Sequence, residues 1–140
     1  MNITIIAYRP DHTDYCRGCR MGSTESDMEC GTFNTTYNAT EFLAKYMAEN
    51  LIRDIYEYAA YDFTYVVNGL DERDWEPNSI EQNIQRRIYV AATIQAEVIA
   101  TKYKEDKIAK EAEDKRIKEE ETKQRELKQL AELQEKHPNV

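Results

Sequence analysis

The amino-acid sequence predicts an α+β domain in the order β-β-α-β-α. A small three-stranded antiparallel sheet is packed by two helices, and the last helix extends as a long charged stalk. Two observations support this fold class. Segments with strand patterning are interspersed with longer segments of helical periodicity, and the charges divide the chain into two parts. Residues 1–100 carry eight Lys/Arg and sixteen Asp/Glu, whereas residues 101–140 carry eleven of each, so the formal net charge of −8 belongs to the first part. We expect an acidic globular domain over residues 1–100 and a charge-balanced helical tail over residues 101–140.

Three segments have the composition and periodicity of β-strands. Ile3–Tyr8 is a β-branched run that ends shortly before a proline, and Met28–Phe33 alternates between two faces. Phe63–Val67 also alternates and is followed by Asn-Gly, a pair that favours a tight hairpin turn. Between the first two strands, residues 10–27 are rich in turn-forming residues, so we expect a long loop there.

The first helix is predicted to begin after Asn38, a favourable N-cap residue, with Glu41 completing a capping-box-like pair. It should continue for about 20 residues, because its apolar residues recur every four positions. The stripe that we expect to face the sheet consists of Leu43, Met47, Leu51, Ile55 and Ala59.

The last helix is predicted to begin at Ser79, with Gln82 at the third helical position of a second capping box. Its first half has apolar residues at helical spacing and should dock on the domain. These residues are Ile80, Ile84, Ile88, Ala91, Ile94 or Gln95, and Val98.

The tail is predicted to be a solvated helix. Between Thr101 and Glu126 the large aliphatic residues are Ile108 and Ile117, too few for a coiled-coil seam. Acidic residues precede basic residues at i+4, an arrangement that stabilises an isolated helix. These pairs are Asp106–Lys110, Glu111–Lys115, Asp114–Lys118, Glu119–Lys123 and Glu121–Arg125.

One group of residues has the composition of a zinc site. Cys16 and Cys19 are spaced to clamp one ion, and His12 and Cys30 would complete a tetrahedral set. A second closely spaced ligand pair is absent, and Cys30 fits a buried strand position, where a free cysteine behaves as a small hydrophobe. The sequence favours reduced cysteines and no cofactor, with a structural zinc as the alternative and a redox pair as a weaker one.

The acidic loop before the last helix is the predicted partner-binding site. It comprises Asp71, Glu72, Asp74, Trp75 and Glu76. Tryptophan is strongly enriched at interface hot spots, and the surrounding carboxylates suit a basic partner. The alternative is that Trp75 folds back onto the core at the start of the last helix.

Several function classes find no support in the sequence. Apolar runs are too short for a transmembrane helix, and the N-terminus lacks the basic region of a signal peptide, so we expect a cytoplasmic protein that binds no membrane. There are two histidines, no phosphate-binding glycine loop, and no metalloprotease or EF-hand spacing, so we expect no enzymatic activity. The acidic charge argues against direct binding of nucleic acid. These exclusions leave a protein as the expected partner.

Two segments, IIAYRPDHTDYCRGCRM at residues 5–21 and FTYVVNGLDERDW at residues 63–75, resemble small accessory proteins of tailed bacteriophages. The resemblance carries no catalytic motif. It implies a compact, acidic early protein in a bacterial cytoplasm that binds and blocks a host enzyme or defence complex.

Together these features predict a non-catalytic binding protein that acts as an inhibitor or adaptor of a host or cellular protein. An enzyme that handles nucleic acid is a plausible target, because its basic site could accept an acidic domain. One alternative is an oligomerisation protein whose tail pairs with a copy of itself through Leu127, Leu130 and Leu133. Another is a regulatory module that zinc stabilises.

Overall fold

The computed structural model describes residues 1–16, 19–53 and 59–136, and for residues 12–16 and 19–24 it describes the backbone. The chain is α+β and divides into two compact units, Met1–Lys102 and Tyr103–Val140. Six strands and two α-helices occur in the described ranges. They are β1 (Ile3–Arg9), β2 (His12–Cys16), β3 (Cys19–Thr24), β4 (Asp27–Phe33), α1 (Thr36–Ile52), β5 (Asp62–Val67), β6 (Leu70–Asp71) and α2 (Ile80–Lys136).

The main sheet has four antiparallel strands in the order β4-β1-β5-β6, one more than the sequence predicts. In the middle of the sheet, Ile5 of β1 pairs with Gly31 of β4 and with Tyr65 of β5. The additional strand β6 follows a two-residue turn at Asn68 and Gly69, whose φ angles are 52° and 79°. Positive φ at both positions is required by a type I′ turn, which explains the Asn-Gly pair.

The predicted loop over residues 10–27 is wrong, because this segment contains a separate two-stranded antiparallel sheet of β2 and β3. The pairing ends with Cys16 opposite Cys19, and its register shifts between Asp14 and Tyr15. Turn-forming residues here lie inside strands, so composition was a poor guide to the backbone.

The N-terminus of α1 differs from the prediction by three residues. The N-cap is Thr35 rather than Asn38, and the Thr35 hydroxyl accepts a hydrogen bond from the Asn38 backbone N–H at 3.3 Å. The helix ends at Ile52, after which the backbone N–H of Arg53 donates to the carbonyl oxygen of Glu49 at 2.9 Å. An extended Thr whose hydroxyl accepts from the third residue on is a standard helix start.

The buried face of α1 also differs from the predicted stripe at its C-terminal end. Leu43 is fully buried as expected, but Leu51 is 49% exposed, and Ile55 lies outside the described residues. Small side chains complete the buried face, which allows the helix to approach the sheet closely. The buried residues are Ala39, Thr40, Leu43, Ala44, Tyr46 and Ala48.

The start of α2 confirms Ser79 as the predicted N-cap, while Gln82 binds the backbone N–H of Asn78 rather than that of Ser79. The Ser79 hydroxyl accepts a hydrogen bond from the backbone N–H of Gln82 at 3.2 Å. The side-chain oxygen of Gln82 accepts from the backbone N–H of Asn78 at 2.6 Å. Two N–H groups at the helix start are thereby satisfied by side chains.

The hydrophobic core lies between one face of the main sheet and the helices. Odd-numbered residues of β1 point into it, and Ile88 and Ala92 of α2 close it. Phe33, Phe42, Met47, Phe63, Trp75 and Ile84 pack around its edge. The largest fully buried side chains are Ile3, Ile5, Leu43, Val67 and Ile88.

A second cluster joins aromatic and polar groups at the end of β1. The hydroxyl of Tyr61 donates to Asp27 Oδ2 at 2.6 Å, and the Arg9 guanidinium lies 5.3 Å from the centre of the Tyr61 ring. The Asn50 side chain accepts from the Tyr61 backbone N–H at 2.7 Å and donates to its carbonyl oxygen at 3.1 Å. Burial first, and then the hydrogen bond to Asp27, raises the pKa of Tyr61 above that of a free tyrosine. The cluster fastens the ends of β1 and β4 to α1, next to the β2–β3 hairpin.

The opposite face of the main sheet is open to solvent. Even-numbered residues of β1 point to it, and Tyr8 is 45% exposed, with Met28 beside it 65% exposed. Cys30 lies on this face opposite Ile6 and is exposed, so its predicted burial is wrong. The physical reason is register: Cys30 alternates with Gly31, whose Cα faces the helices near the Phe33 and Phe42 rings.

The described part of the predicted tail, residues 101–136, is helical as predicted, with every side chain exposed. Arg116 makes the ion pairs of this part, with Glu113 at 2.7 Å and Glu120 at 3.3 Å. The i+4 pairs predicted from the sequence are not within 4 Å of one another in the described tail. Exposed partners in water gain little from fixing two long side chains. Across the described ranges, none of the helices combines the length and the apolar character that crossing a membrane requires.

Candidate protein-binding surface

The predicted partner-binding loop is a 3-10 turn at Glu72–Asp74 between β6 and α2. Asp71 caps this turn, because its carboxylate accepts the backbone N–H of Arg73 at 3.1 Å. That backbone hydrogen bond is the main reason why the pKa of Asp71 lies below its usual value. The side chain of Arg73 is also 3.5 Å from the same carboxylate. Asp71 therefore holds the loop in shape.

The side chain of Glu72 forms a hydrogen bond within the domain, at the edge of the main sheet. Its Oε1 atom accepts the backbone N–H of Tyr65 at 2.8 Å. The short β6 pairs with Val66 and Val67, so the Tyr65 amide lies just beyond the last paired residue. A carboxylate thus takes the place of a strand carbonyl. Tyr65 is 5% exposed, and its burial is the main reason why its pKa rises to about 12.

Trp75 lies partly in the core, packed against the main hydrophobic cluster. Its indole N–H donates to the carbonyl oxygen of Leu70 at 3.0 Å. This geometry corresponds to the alternative in which the tryptophan folds back. Glu72, Asp74 and Glu76 are all exposed, and one carboxylate oxygen of Glu72 accepts the Tyr65 backbone N–H. Asp74 and Glu76 present their carboxylates to solvent without that contact. Partner binding by the loop stays a prediction, with Asp74 and Glu76 as its available groups.

The outer face of α2 presents a stripe of apolar side chains, and two of them, Ile94 and Val98, were predicted to lie on the docking face. Val90, Ile94 and Val98 are 58%, 60% and 64% exposed. Ile88 is buried as predicted, and the other buried residues of α2 are Ala92, Ala96 and Ala100, all 3% exposed or less. Two positions along an α-helix turn by about 200°, so Ile94 faces away from both Ala92 and Ala96. We call Val90, Ile94 and Val98 the outer stripe.

In an isolated chain, the residues of the outer stripe make α2 less stable than alanines would. A β-branched residue in an exposed helix costs about 0.5 kcal/mol relative to alanine, because its χ1 freedom is lost against the preceding turn. Burial normally offsets this cost, yet three such residues here share one solvent-facing line. Single exposed apolar residues are common, but a grouped set on one helix face is typical of a contact surface.

The sequence contains a pattern that distinguishes the outer stripe from the buried face of α2. Apolar residues occupy every second position from Val90 to Ala100, with small and large side chains alternating. In a strand, that period would place all of them on one face, whereas in a helix it distributes them over two opposite faces. The alanines lie on the inner face, where α2 packs closely against the rest of the domain. The large residues lie on the outer face, where the single chain does not bury them.

The proposed zinc ligands fall into two groups. The side chains of His12, Cys16 and Cys19 lie outside the described residues. Cys30 is a free thiol on β4, in a different sheet from the Cys16–Cys19 pair. Among the described side chains, no three His, Cys, Asp or Glu residues are grouped closely enough to hold a metal ion.

Comparison with known proteins adds no relative. No protein-family model, curated protein or solved structure matches this chain.

Proposed function

We propose that this protein is a non-catalytic binding protein that inhibits or adapts a host or cellular protein complex, as a phage accessory protein would. The observation that carries the proposal is the outer stripe. A partner that buried Val90, Ile94 and Val98 would gain about 1.5–3 kcal/mol for each side chain it covered fully. Three residues at i, i+4 and i+8 are the pattern that a helix presents to a hydrophobic groove.

The charge of residues 1–100 supports a basic partner. Acidic residues outnumber basic ones by two to one there, and Asp74 and Glu76 are exposed near the start of α2. A field of one sign accelerates association with an oppositely charged surface and contributes more to rate than to affinity. Proteins that handle nucleic acid carry such basic surfaces. Apolar contacts through α2 and steering by the acidic surface are therefore the two parts of the proposed mechanism.

A substitution set in α2 tests the proposal. Val90→Gln, Ile94→Gln and Val98→Gln together remove the apolar stripe and retain good helix formers. The matched control is Ile108→Gln with Ile117→Gln, because these two side chains are also exposed on α2, at 66% and 40%. Tagged wild-type protein, the triple variant and the control are used to capture partners from the cells in which the gene is expressed.

We expect the wild type and the control to retain the same protein and the triple variant to lose it, with an unchanged far-UV circular dichroism spectrum. Equal capture by all three proteins would show that the outer stripe is not the contact. Asp74→Lys with Glu76→Lys should slow association and reduce its salt dependence, because charge steering is screened by salt. Unchanged kinetics in that variant would remove the acidic loop from the mechanism.

Oligomerisation is a second candidate function, because the tail exposes Leu127, Leu130 and Leu133 at 66%, 52% and 57%. Replacing all three by glutamine in the full-length chain distinguishes self-association through the tail from partner binding through the outer stripe. If the tail serves self-association, the mass measured by light scattering falls on substitution. If the protein is a binder through α2, partner capture survives the same change.

A further inference from the structure

The two outer edges of the main sheet, those of β4 and β6, differ from each other. β4 is the last strand on its side, and no strand pairs with its outer edge in the part of the chain that the structure describes. It pairs with β1 over seven consecutive residues, Asp27–Phe33, without a register shift. Such an edge exposes a row of backbone N–H and C=O groups that a further strand can bind.

β4 carries only some of the usual protections of an edge strand. Proteins shorten edges, kink them with bulges, or place charged residues and proline in them. The segment DMECGTF is seven residues long, pairs without a bulge and contains no lysine and no proline, and its charged residues are Asp27 and Glu29. On the opposite side of the sheet, β6 has two residues, and Glu72 binds the next free amide, that of Tyr65. One edge is closed by side chains and the other is left regular and open.

We propose that β4 is the interface of a homodimer, in which the β4 strands of two copies pair antiparallel about a two-fold axis at Cys30. The main sheet would then continue through both subunits as eight strands. A two-fold axis is the commonest symmetry of homodimers and makes the contact self-complementary. This surface is distinct from the outer stripe, so the proposal stands independently of the proposed function.

Charge and the number of paired residues together select this register among the alternatives. With the axis at Cys30, all seven residues of β4 find a partner, and Glu29 lies opposite Gly31 of the second copy. An axis at Glu29 would oppose two glutamates, and an axis at Met28 would oppose Asp27 to Glu29. Like charges directly opposite one another destabilise a strand pair. An axis at Gly31 avoids this conflict but leaves five paired residues instead of seven.

The side chains of β4 fit the same arrangement. On the open face, Met28 of one copy would lie opposite Thr32 of the other, and Met28 is 65% exposed in the single chain. On the helix-facing side, Gly31 offers no side chain that would crowd Glu29 of the second copy. Cys30 would face its own counterpart, with Cα atoms about 4.5–5.5 Å apart, a separation that a short thiol cross-linker spans. Strand addition of this size gives a weak, concentration-dependent dimer, because stable interfaces bury about 1,200–2,000 Å².

A charge exchange tests the register directly. Met28→Lys with Thr32→Lys places two lysine pairs opposite each other across the axis, and the dimer should dissociate about tenfold more readily. Met28→Lys with Thr32→Glu changes the same two exposed positions but pairs each lysine with a glutamate, so dimerisation should return to within about threefold of the wild type. Sedimentation equilibrium of the full-length chains measures both dissociation constants.

Cross-linking supplies the second measurement. In a chain with Cys16→Ser and Cys19→Ser, a short bis-maleimide should join Cys30 of two copies. The control is Thr64→Cys in a chain with all three native cysteines replaced, since Thr64 is an exposed residue of the same open face, two strands away. We expect at least about fivefold less cross-linked dimer in that control, because directly opposite residues lie far closer than residues on non-adjacent strands. Circular dichroism of each variant confirms that the sheet is intact.

The outcomes decide the proposal. A monomeric wild type at all concentrations overturns it, as does equal dissociation of the two charge variants. A dimer that survives in both variants and cross-links equally from Cys30 and from Thr64→Cys shows association through another surface. A loss of dimer in the lysine pair together with its recovery in the lysine–glutamate pair establishes the two-fold axis at Cys30.

Discussion

The two parts of α2 expose very different side chains, although both are helical and both face solvent. Within residues 80–102 the exposed residues include Val90, Ile94 and Val98, which are poor helix formers. Within residues 103–136, where every side chain is exposed, lysine and glutamate dominate. Solvent exposure alone therefore does not determine residue type here. The tail has the composition of a helix that must be stable by itself, and the first part has the composition of a helix with contacts on both faces.

The largest effect should come from the inner face of the first part. Ile88→Ala removes a side chain that is 1% exposed and leaves a cavity in the core. We expect a loss of about 2–4 kcal/mol in the free energy of unfolding, measured by urea denaturation. Ile108→Ala in the tail is the matched control and should leave this value unchanged. Equal effects of the two substitutions would erase the distinction between the two parts.

Overpacking the alanine face should have the next largest effect. Ala96 is 1% exposed, so Ala96→Leu inserts three carbon atoms where no space is available. We expect a loss of about 1–3 kcal/mol. Ala109→Leu, at an exposed position of the tail, should be neutral in the same denaturation experiment. A neutral Ala96→Leu would mean that α2 can move away from the domain at no cost.

Substitutions in the outer stripe should raise the free energy of unfolding, whereas those on the inner face lower it. Val90→Ala, Ile94→Ala and Val98→Ala replace exposed β-branched residues by the best helix former. Together they should raise the free energy of unfolding by about 1 kcal/mol, while partner capture is lost. A thermal melt and the capture assay on the same protein measure both effects. Destabilisation by the triple variant would show that these side chains pack within the single chain.

The smallest effect is expected in the tail. Arg116→Ala removes exposed pairs with Glu113 and Glu120, which stabilise the helix only locally and weakly because both partners are in water. Amide hydrogen exchange around residues 113–120 should quicken, whereas exchange of the core amides should not change. The difference should vanish at high salt. Faster exchange throughout the core would link the tail to the stability of the first unit.

Strands and capping sites with strong local signals were predictable. Ile3–Tyr8 and Phe63–Val67 were found because alternation is a direct consequence of one buried face. Ser79 with Gln82 was found because their side chains act on neighbouring backbone groups. The N-cap of α1 was misplaced because Thr35 and Asn38 are both acceptable caps, and local sequence does not rank them.

The remaining features depend on tertiary context. β2 and β3 contain polar and turn-forming residues, and their pairing is not visible as a hydrophobic period. β6 has two residues, too few for any periodicity. The inner and outer faces of α2 could not be told apart because Ile94 and Val98 satisfy helical spacing as well as Ala92 and Ala96 do. Which face meets the sheet is decided by close packing against small residues, which a hydrophobic pattern does not report.

The position of β1 sets the order in which the domain can assemble. Ile5 pairs with Gly31, 26 residues later, and with Tyr65, 60 residues later. The β1–β4 pair closes the shorter loop, so we expect it to form before β1 pairs with β5. During synthesis, the central strand therefore has one free side until residues 62–67 have been made. A protein built this way exposes its middle strand to other nascent chains for that interval, and fast closure by β5 limits misassembly.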